Sequence, residues 1–367
     1  MQKTKTLSKN FTTGNIAKQL ILFSLPFMAS NALQVLYSTI DMIVVGAYVG
    51  TFGLSAVSQS SQLITFATMV CLGFSNAGQV LLGQAFGANK KKEINDIIGT
   101  LFVFIAFIAL FFTTILLAGQ NLILKLVKMP VESFEMAREY LVICAIGFIF
   151  TAGYNLVSAI LRGMGDSKRP FLFIAIASIV NLVLDILFVG VFGWGVAGAA
   201  WATIIGQAIS FIFSIFYLIK KKTEFGFDFK KESFVPNKKY LAMIASVGTP
   251  MAIQSSFINV SMLFVNTMVN NLGVVASATF GVGVRIDDIV NKICMGIQYA
   301  AVPIISQNIG AKNDVRVKQT VFYAWIYSIA LTVLFMLTYI ILGKQLMRVC
   351  LGQNLRLRQY CKNISPN

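Results

Sequence analysis

Between Gln19 and Asn89 the chain runs for 71 residues with a single charged side chain, Asp41, and between Pro170 and Ile219 it runs for 50 with one, Asp185. No water-soluble fold can hide stretches of that length. A helix needs about 20 apolar residues to cross the hydrocarbon core of a bilayer. Nine segments meet that requirement: 19–45, 55–82, 97–118, 140–161, 171–190, 196–219, 241–270, 277–305 and 319–342. They are continuous apolar runs rather than short alternating strands. The expected fold is therefore an all-α polytopic membrane protein, not a β-barrel.

Composition agrees. Charged residues make up 12% of the 367-residue chain and hydrophobic ones 57%, where soluble domains carry about 25% and about 45–50%. There is no histidine. That excludes a histidine zinc site, a Ser-His-Asp triad and imidazole acid–base chemistry, and the chain is not expected to be an enzyme. No G-x-x-x-x-G-K-[ST] occurs, so ATP is not the energy source. Gly163-x-Gly165 has no βαβ context and is no dinucleotide fingerprint. Cys71, Cys144 and Cys294 lie in apolar runs and read as small hydrophobic filler. No organic cofactor is expected.

The net charge of +16 is distributed in loops. With the N-terminus in the cytoplasm, the inside segments hold 20 Lys and Arg and the outside loops before the ninth span hold three, Lys125, Lys128 and Arg138. This asymmetry sets the expected orientation, N-terminus inside, in the cell membrane. The charge is a topology signal and not a nucleic-acid footprint.

A shift of 223 residues aligns the sequence with itself: Gly50 meets Gly273, Gly73 meets Gly296, and Gln84, Gly87 and Ala88 meet Gln307, Gly310 and Ala311. One residue of slippage brings Pro26 to Pro250. Two parallel six-helix repeats are expected. The expected division is a six-helix N-lobe over 1–222, a cytoplasmic linker over 223–240, a three-helix partial C-lobe over 241–352 and an atypical polar tail over 353–367. A second copy would be complete near residue 446 (twice 223), so the chain is expected to be truncated at its C-terminus.

A charge at mid-membrane costs about 2.5–3.5 kcal/mol on insertion scales and normally faces a bundle interior or a wet cavity. Gln34, Tyr37, Ser38 and Asp41 fall on one helical face; Asn181 and Asp185 are one turn apart on the fifth helix. Each carboxyl has two readings: a permanently protonated group bonded to a neighbour, or a cation or proton site. If the two carboxylates met, repulsion would favour a proton, a metal ion or an organic cation between them. Pro26 removes one backbone hydrogen bond from the first helix and permits a kink. Arg285, Asp287, Asp288 and Lys292 on the eighth span read as a local ion-pair set or as residues at the extracellular interface.

Several of these features together resemble a known family. Residues 161–170, LRGMGDSKRP, look like the LRGxGDxxxP loop of the multidrug and toxic compound extrusion (MATE) transporters; 198–203, GAAWAT, resembles their GAAxAT motif; the duplicated Q-x-x-G-A and the Pro26/Asp41 pair also match. The resemblance covers residues 14–351. It implies a twelve-helix bundle of two lobes around a central cavity, exporting small organic cations by antiport of H+ or Na+. It places Asp41, Asn181, Asp185 and Thr203 at the N-lobe cation site of the DinF-like branch, the Na+ site if sodium is used, and Pro26 at a first-helix hinge. Gln34, Tyr37 and Asn155 become substrate-cavity candidates. The NorM-like branch also uses an acid on the seventh helix; here no Asp or Glu occurs between Ser233 and Ile286. A lipid-linked oligosaccharide flippase of the same superfamily and a non-transporting remnant are the rival readings.

Overall fold

The computed structural model describes residues 10–270 and 274–350, apart from some side chains in the last three helices. The tail at 353–367, Gly273 and the Arg285 side chain lie outside the described residues. The helices are α1 (Ile16–Tyr48), α2 (Gly50–Gly87), α3 (Lys91–Leu126), α4 (Val131–Gly163), α5 (Lys168–Asp185), α6 (Gly195–Lys220), the one-turn α7 (Lys222–Phe225), α8 (Lys238–Asn270), α9 (Val274–Gly310) and α10 (Asp314–Cys350). The protein is all-α and polytopic. Helices are the expected answer in lipid, because each satisfies its own backbone groups.

Among the described residues seven helices, α1 to α6 and α10, are long and apolar enough to cross a membrane. The other two expected spans, 241–270 and 277–305, fall in α8 and α9, which have 33 and 37 residues. Their length suffices for crossing, but polar residues such as Gln254, Asn259 and Asn266 on α8 and Asp287, Asp288 and Lys292 on α9 lower their apolarity.

Local chemistry sets the helix ends. Asn15 caps α1, its Oδ1 accepting from the Lys18 amide at 3.0 Å. Tyr48 ends α1 and Gly50 starts α2; the reversal needs the left-handed φ of +86° at Gly50, which glycine adopts without strain. Pro26 sits inside a continuous α1, and the Ser30 hydroxyl donates to its carbonyl at 2.8 Å. The fifth apolar run is not one α-helix. After Asp185 it widens to a π-helical stretch over Ile186–Val191.

The lysine- and arginine-rich loops, apart from the α3–α4 turn with Lys128, lie at the end of the bundle where α1 begins and α2 ends; we call it the basic face. The 223–240 segment, read from sequence as a linker, is docked there under α3. The Asn95 amide donates to Ser233 Oγ (3.1 Å), the Asn237 amide to Thr100 Oγ1 (3.1 Å), and Phe227 and Phe234 pack on Phe102.

Helix α2 is the centre of the bundle, packing on α4, α8, α9 and α3. Two of its glycine contacts are repeated on α9. A Cβ on Gly73 would meet the Ala252 backbone of α8 at 2.9 Å; one on Gly296, its counterpart 223 positions on, would meet the Met28 backbone of α1 at 2.9 Å. Met28 and Ala252 are themselves related by the shift that joins Pro26 to Pro250. At the basic face Gly87 abuts the Gln307 carbonyl and Gly310 abuts the Gln84 carbonyl. The duplicated Q-x-x-G-A is thus a reciprocal contact in which each copy's glycine receives the other copy's glutamine backbone.

Candidate functional site

The basic face is sealed around that contact. Arg162 Nε donates to Gln79 Oε1 at 2.8 Å, and Gln307 Nε2 donates to the Gly163 carbonyl at 3.3 Å. Phe11 is buried beneath the seal; its amide donates to Gln307 Oε1 at 2.9 Å. Arg316 holds the same segment, donating to the carbonyls of Phe11 (2.9 Å), Gly14 (2.9 Å) and Thr13 (3.3 Å). The LRGMGD loop is part of this construction. Gly165 turns with φ +86°, and Asp166 Oδ1 accepts from the amides of Lys168 (3.1 Å) and Arg169 (3.2 Å), closing the start of α5. Its Oδ2 accepts from the Tyr217 hydroxyl at 3.3 Å. Burial raises the Asp166 carboxyl above its ordinary range, against the pull of these bonds. The GAAWAT stretch is a packing surface: Ala199, Ala200 and Ala202 are fully buried, and a Cβ on Gly198 would meet Phe188 of the π-helical stretch at 3.0 Å.

In the other half of the bundle lies a cavity of about 390 Å³, within the range of small-molecule sites, about 300–1,000 Å³. Four helices supply polar stripes to it. Gln34, Tyr37, Ser38 and Asp41 come from α1; Ser61, Thr65 and Thr68 from α2; Thr151, Tyr154 and Asn155 from α4; Thr203 and Gln207 from α6. Apolar residues such as Met69 and Leu72 complete the wall. Beside it is a void of about 10 Å³ lined by Tyr37, Asn181, Thr203 and Gln207 among others. Three of these four, Tyr37, Thr203 and Gln207, border both spaces, so Asn181 sits just behind the main wall.

Asp185 borders neither space. It is 1% exposed, and its charge and that of Asp41 lie within interacting distance. Asp41 Oδ1, both carboxylate oxygens of Asp185 and Asn181 Nδ2 are buried with no hydrogen-bond partner. Buried polar atoms are paired in the great majority of cases; the other exceptions among the described residues, at Ser75, Gln79, Ser133 and Ser158, are neutral groups, and the unpartnered carboxylate oxygens are all here. Asp41 and Thr203 line the cavity, Asn181 lies just behind its wall, and Asp185 is one turn further along α5.

The structure thus gathers Asp41, Asn181, Asp185, Thr203, Gln34, Tyr37 and Asn155 into one region. Pro26 is elsewhere: 15 residues before Asp41 on the same helix, it lies about 22 Å away along the axis, on the stretch that packs against α9. The hydroxyl stripes of α2 and α4 were not read from the sequence, although Ser61, Thr65 and Thr68 recur at helical spacing in an otherwise apolar run. Neither was the π-helical stretch that follows Asp185. Lys292 is a correction. Asp287 and Asp288 are exposed, but Lys292 lines the cavity and makes no ion pair with a described carboxylate.

A bundle of apolar helices with reciprocal internal repeats, sealed at one end and enclosing a polar cavity with buried acids, is the build of a secondary transporter. The sequence profile described as MatE matches residues 26–187 and 250–362. The "Probable multidrug resistance protein YpnP" of Bacillus subtilis (strain 168) is 36% identical over 308 residues, covering 84% of this chain and 68% of that protein. The "Multidrug export protein MepA" of Staphylococcus aureus (strain NCTC 8325 / PS 47) is 25% identical over 318 residues, covering 85% and 68%. A crystal structure of MATE in complex with MaL6 superimposes with a TM-score of 0.90 at 22% identity over 96% of this chain and 78% of that one. An outward-facing MATE transporter of the MOP superfamily gives 0.88 at 22%, covering 95% and 77%. The chain belongs to the MATE family, whose members are multi-pass membrane transporters and not enzymes.

Proposed function

We propose that this protein exports small organic cations by antiport against H+ or Na+, as a DinF-like member of its family. The observation that carries the reading is a pair of acids at a drug-sized polar cavity: half-buried Asp41 lines it with Oδ1 unpartnered, and buried Asp185 lies behind with both oxygens unpartnered. A proton or Na+ entering at Asp41, Asp185, Asn181 and Thr203 neutralises the site. Neutralisation weakens the hold on a cationic substrate, which leaves outward; the ion is then released inward. One charge crossing about 100 mV supplies about 2.3 kcal/mol. Pro26 is the hinge in α1 that permits the rearrangement.

The basic face is the cytoplasmic one, with the N-terminus inside, in the cell membrane; its sealed glycine contact then makes this the outward-facing state. Residues 1–222 belong to the N-lobe, 223–240 to the connection and 241–352 to the C-lobe. The multidrug names of the relatives support the substrate class, and the cavity chemistry supports the cation site.

The test is export of ethidium from inverted vesicles or liposomes under an imposed ΔpH or Na+ gradient. Gradient-dependent export by the wild type, lost in Asp41→Asn, is expected. Equal export by Asp41→Asn under every gradient removes the ion site, and no export by the wild type supports the non-transporting alternative. A flippase for a lipid-linked diphosphate needs several cavity cations; among the described residues lining the cavity, Lys292 is the one present.

A further inference from the structure

The proposed mechanism uses the acids of the cavity and leaves one charged group unexplained. Lys292 lines the same space as Asp41, from α9, beside Asn31 of α1, about 15 Å before Asp41 along that helix. The backbone of this turn is held: the Asn31 side-chain amide of α1 donates to the Lys292 carbonyl at 2.6 Å, pinning α9 against α1. One helical turn back, Asp288 is exposed and forms no ion pair with it. A cavity built only for cations would gain nothing from an ammonium in its wall, since a like charge lowers the affinity of every cation that enters. An ammonium with no carboxylate of its own is, by contrast, the group that would bind a carboxylate on a ligand.

We propose that Lys292 is a specificity-determining residue and that the cavity is bipolar. Its preferred substrates are zwitterions or amphiphiles carrying an anionic group as well as a cationic one. The cationic end lies toward Asp41 and the anionic end toward Lys292. This rests on the export reading and deepens it by naming the substrate class. It also predicts an inversion. Removing the lysine charge weakens zwitterions and tightens simple cations, because the same ammonium attracts one and repels the other.

A matched pair of fluorescent dyes tests this. Rhodamine 110 carries a carboxylate beside its cationic ring system; rhodamine 123 is its methyl ester, a simple cation of nearly the same shape. Equilibrium binding to the purified full chain in nanodiscs is measured by fluorescence anisotropy. In Lys292→Met the affinity for rhodamine 110 should fall about tenfold, equivalent to about 1.4 kcal/mol. Affinity for rhodamine 123 should rise, and Lys292→Arg should keep the wild-type ratio. The proposal is overturned by an unchanged ratio in Lys292→Met or by parallel loss of both dyes. It is overturned equally by a wild type that binds rhodamine 123 but not rhodamine 110, or neither. Ethidium export, measured separately on the same preparations, reports whether the antiport reading stands when this one falls.

Discussion

The two halves of α2 meet their neighbours in opposite ways. From Gly73 to Gly87 it presents glycines to backbone: Ala252 of α8, Ser306 and Gln307 of α9. From Ser61 to Thr68 it presents hydroxyls to an open cavity. In the first half the unpartnered buried atoms, Ser75 Oγ and Gln79 Nε2, belong to neutral side chains, and Gln307 of α9 has both its side-chain oxygen and nitrogen bonded. In the second, four buried atoms on Asp41, Asp185 and Asn181 have no partner. One region is built to fit a single partner, the other to accept something that comes and goes. A transporter needs both, since a sealed end gives direction and an unsatisfied end gives binding.

The most drastic way to break this comparison is to remove the charge of the unsatisfied half. Asp41→Asn should reduce gradient-driven ethidium export to background while leaving the apparent Tm of the purified protein unchanged or raised, because a buried unpaired acid costs stability rather than supplying it. A large fall in Tm with export retained would reverse the assignment of the two halves.

Next comes the seal. An added methyl at Gly87 or Gly310 would overlap a backbone carbonyl of the other copy. Overpacking of this kind costs about 1–3 kcal/mol. Gly87→Ala and Gly310→Ala should therefore lower the apparent Tm by similar amounts, because the contacts are reciprocal. Gly46 is the control: the nearest atom to its added Cβ is Leu54 Cδ2 at 3.9 Å. Gly46→Ala should be neutral or stabilising. A silent Gly310→Ala beside a damaging Gly87→Ala would show that the pseudo-symmetry of the contact is not an energetic one.

A more local effect is expected from Arg316, which ties the Phe11–Gly14 segment to the seal. Arg316→Met should lower the apparent Tm by the equivalent of about 1.5–3 kcal/mol, the net scale of hydrogen bonds to a charged group. It should speed proteolysis within residues 10–14 before cleavage elsewhere. Unchanged cleavage there would mean that Phe11 alone holds the segment.

How much of this was legible in the sequence follows from what each feature depends on. The helices were legible because nine apolar runs admit no other backbone in lipid, and the buried acids because one charge in 71 residues cannot be incidental. The repeat was legible as a register. Its meaning was not: that Gly87 meets Gln307 and Gly310 meets Gln84 depends on how α2 crosses α9, which no spacing encodes. Lys292 was misplaced for the same kind of reason. Beside Asp287 and Asp288 in sequence it reads as one of an ion-pair set, but on α9 Asp288 is exposed while Lys292, one turn on, lines the cavity without pairing to it. The π-helical stretch after Asp185 had no signal, since a widened turn has the same composition as a helix.

Asp166 sharpens the comparison at its finest grain, because it is a buried acid of the sealed end with partners for both oxygens. Its Oδ1 closes the first turn of α5, so Asp166→Ala should cost about 1 kcal/mol, the usual scale of a lost N-terminal cap. Asp166→Asn keeps an acceptor for the Lys168 and Arg169 amides and should cost less. Burial raises this carboxyl, so the folded state holds the proton more tightly than the unfolded chain does. Stability then falls as pH rises from the unfolded-state pKa through the folded one, where the fold binds more protons than the unfolded chain. The apparent Tm of the wild type relative to Asp166→Asn should therefore decline across that window and be flat on either side of it. A relative Tm that rises with pH there would mean that the amide and Tyr217 bonds outweigh burial. Asp166 would then behave as an ordinary charged cap, and partnered and unpartnered acids in this protein would differ in kind rather than in degree.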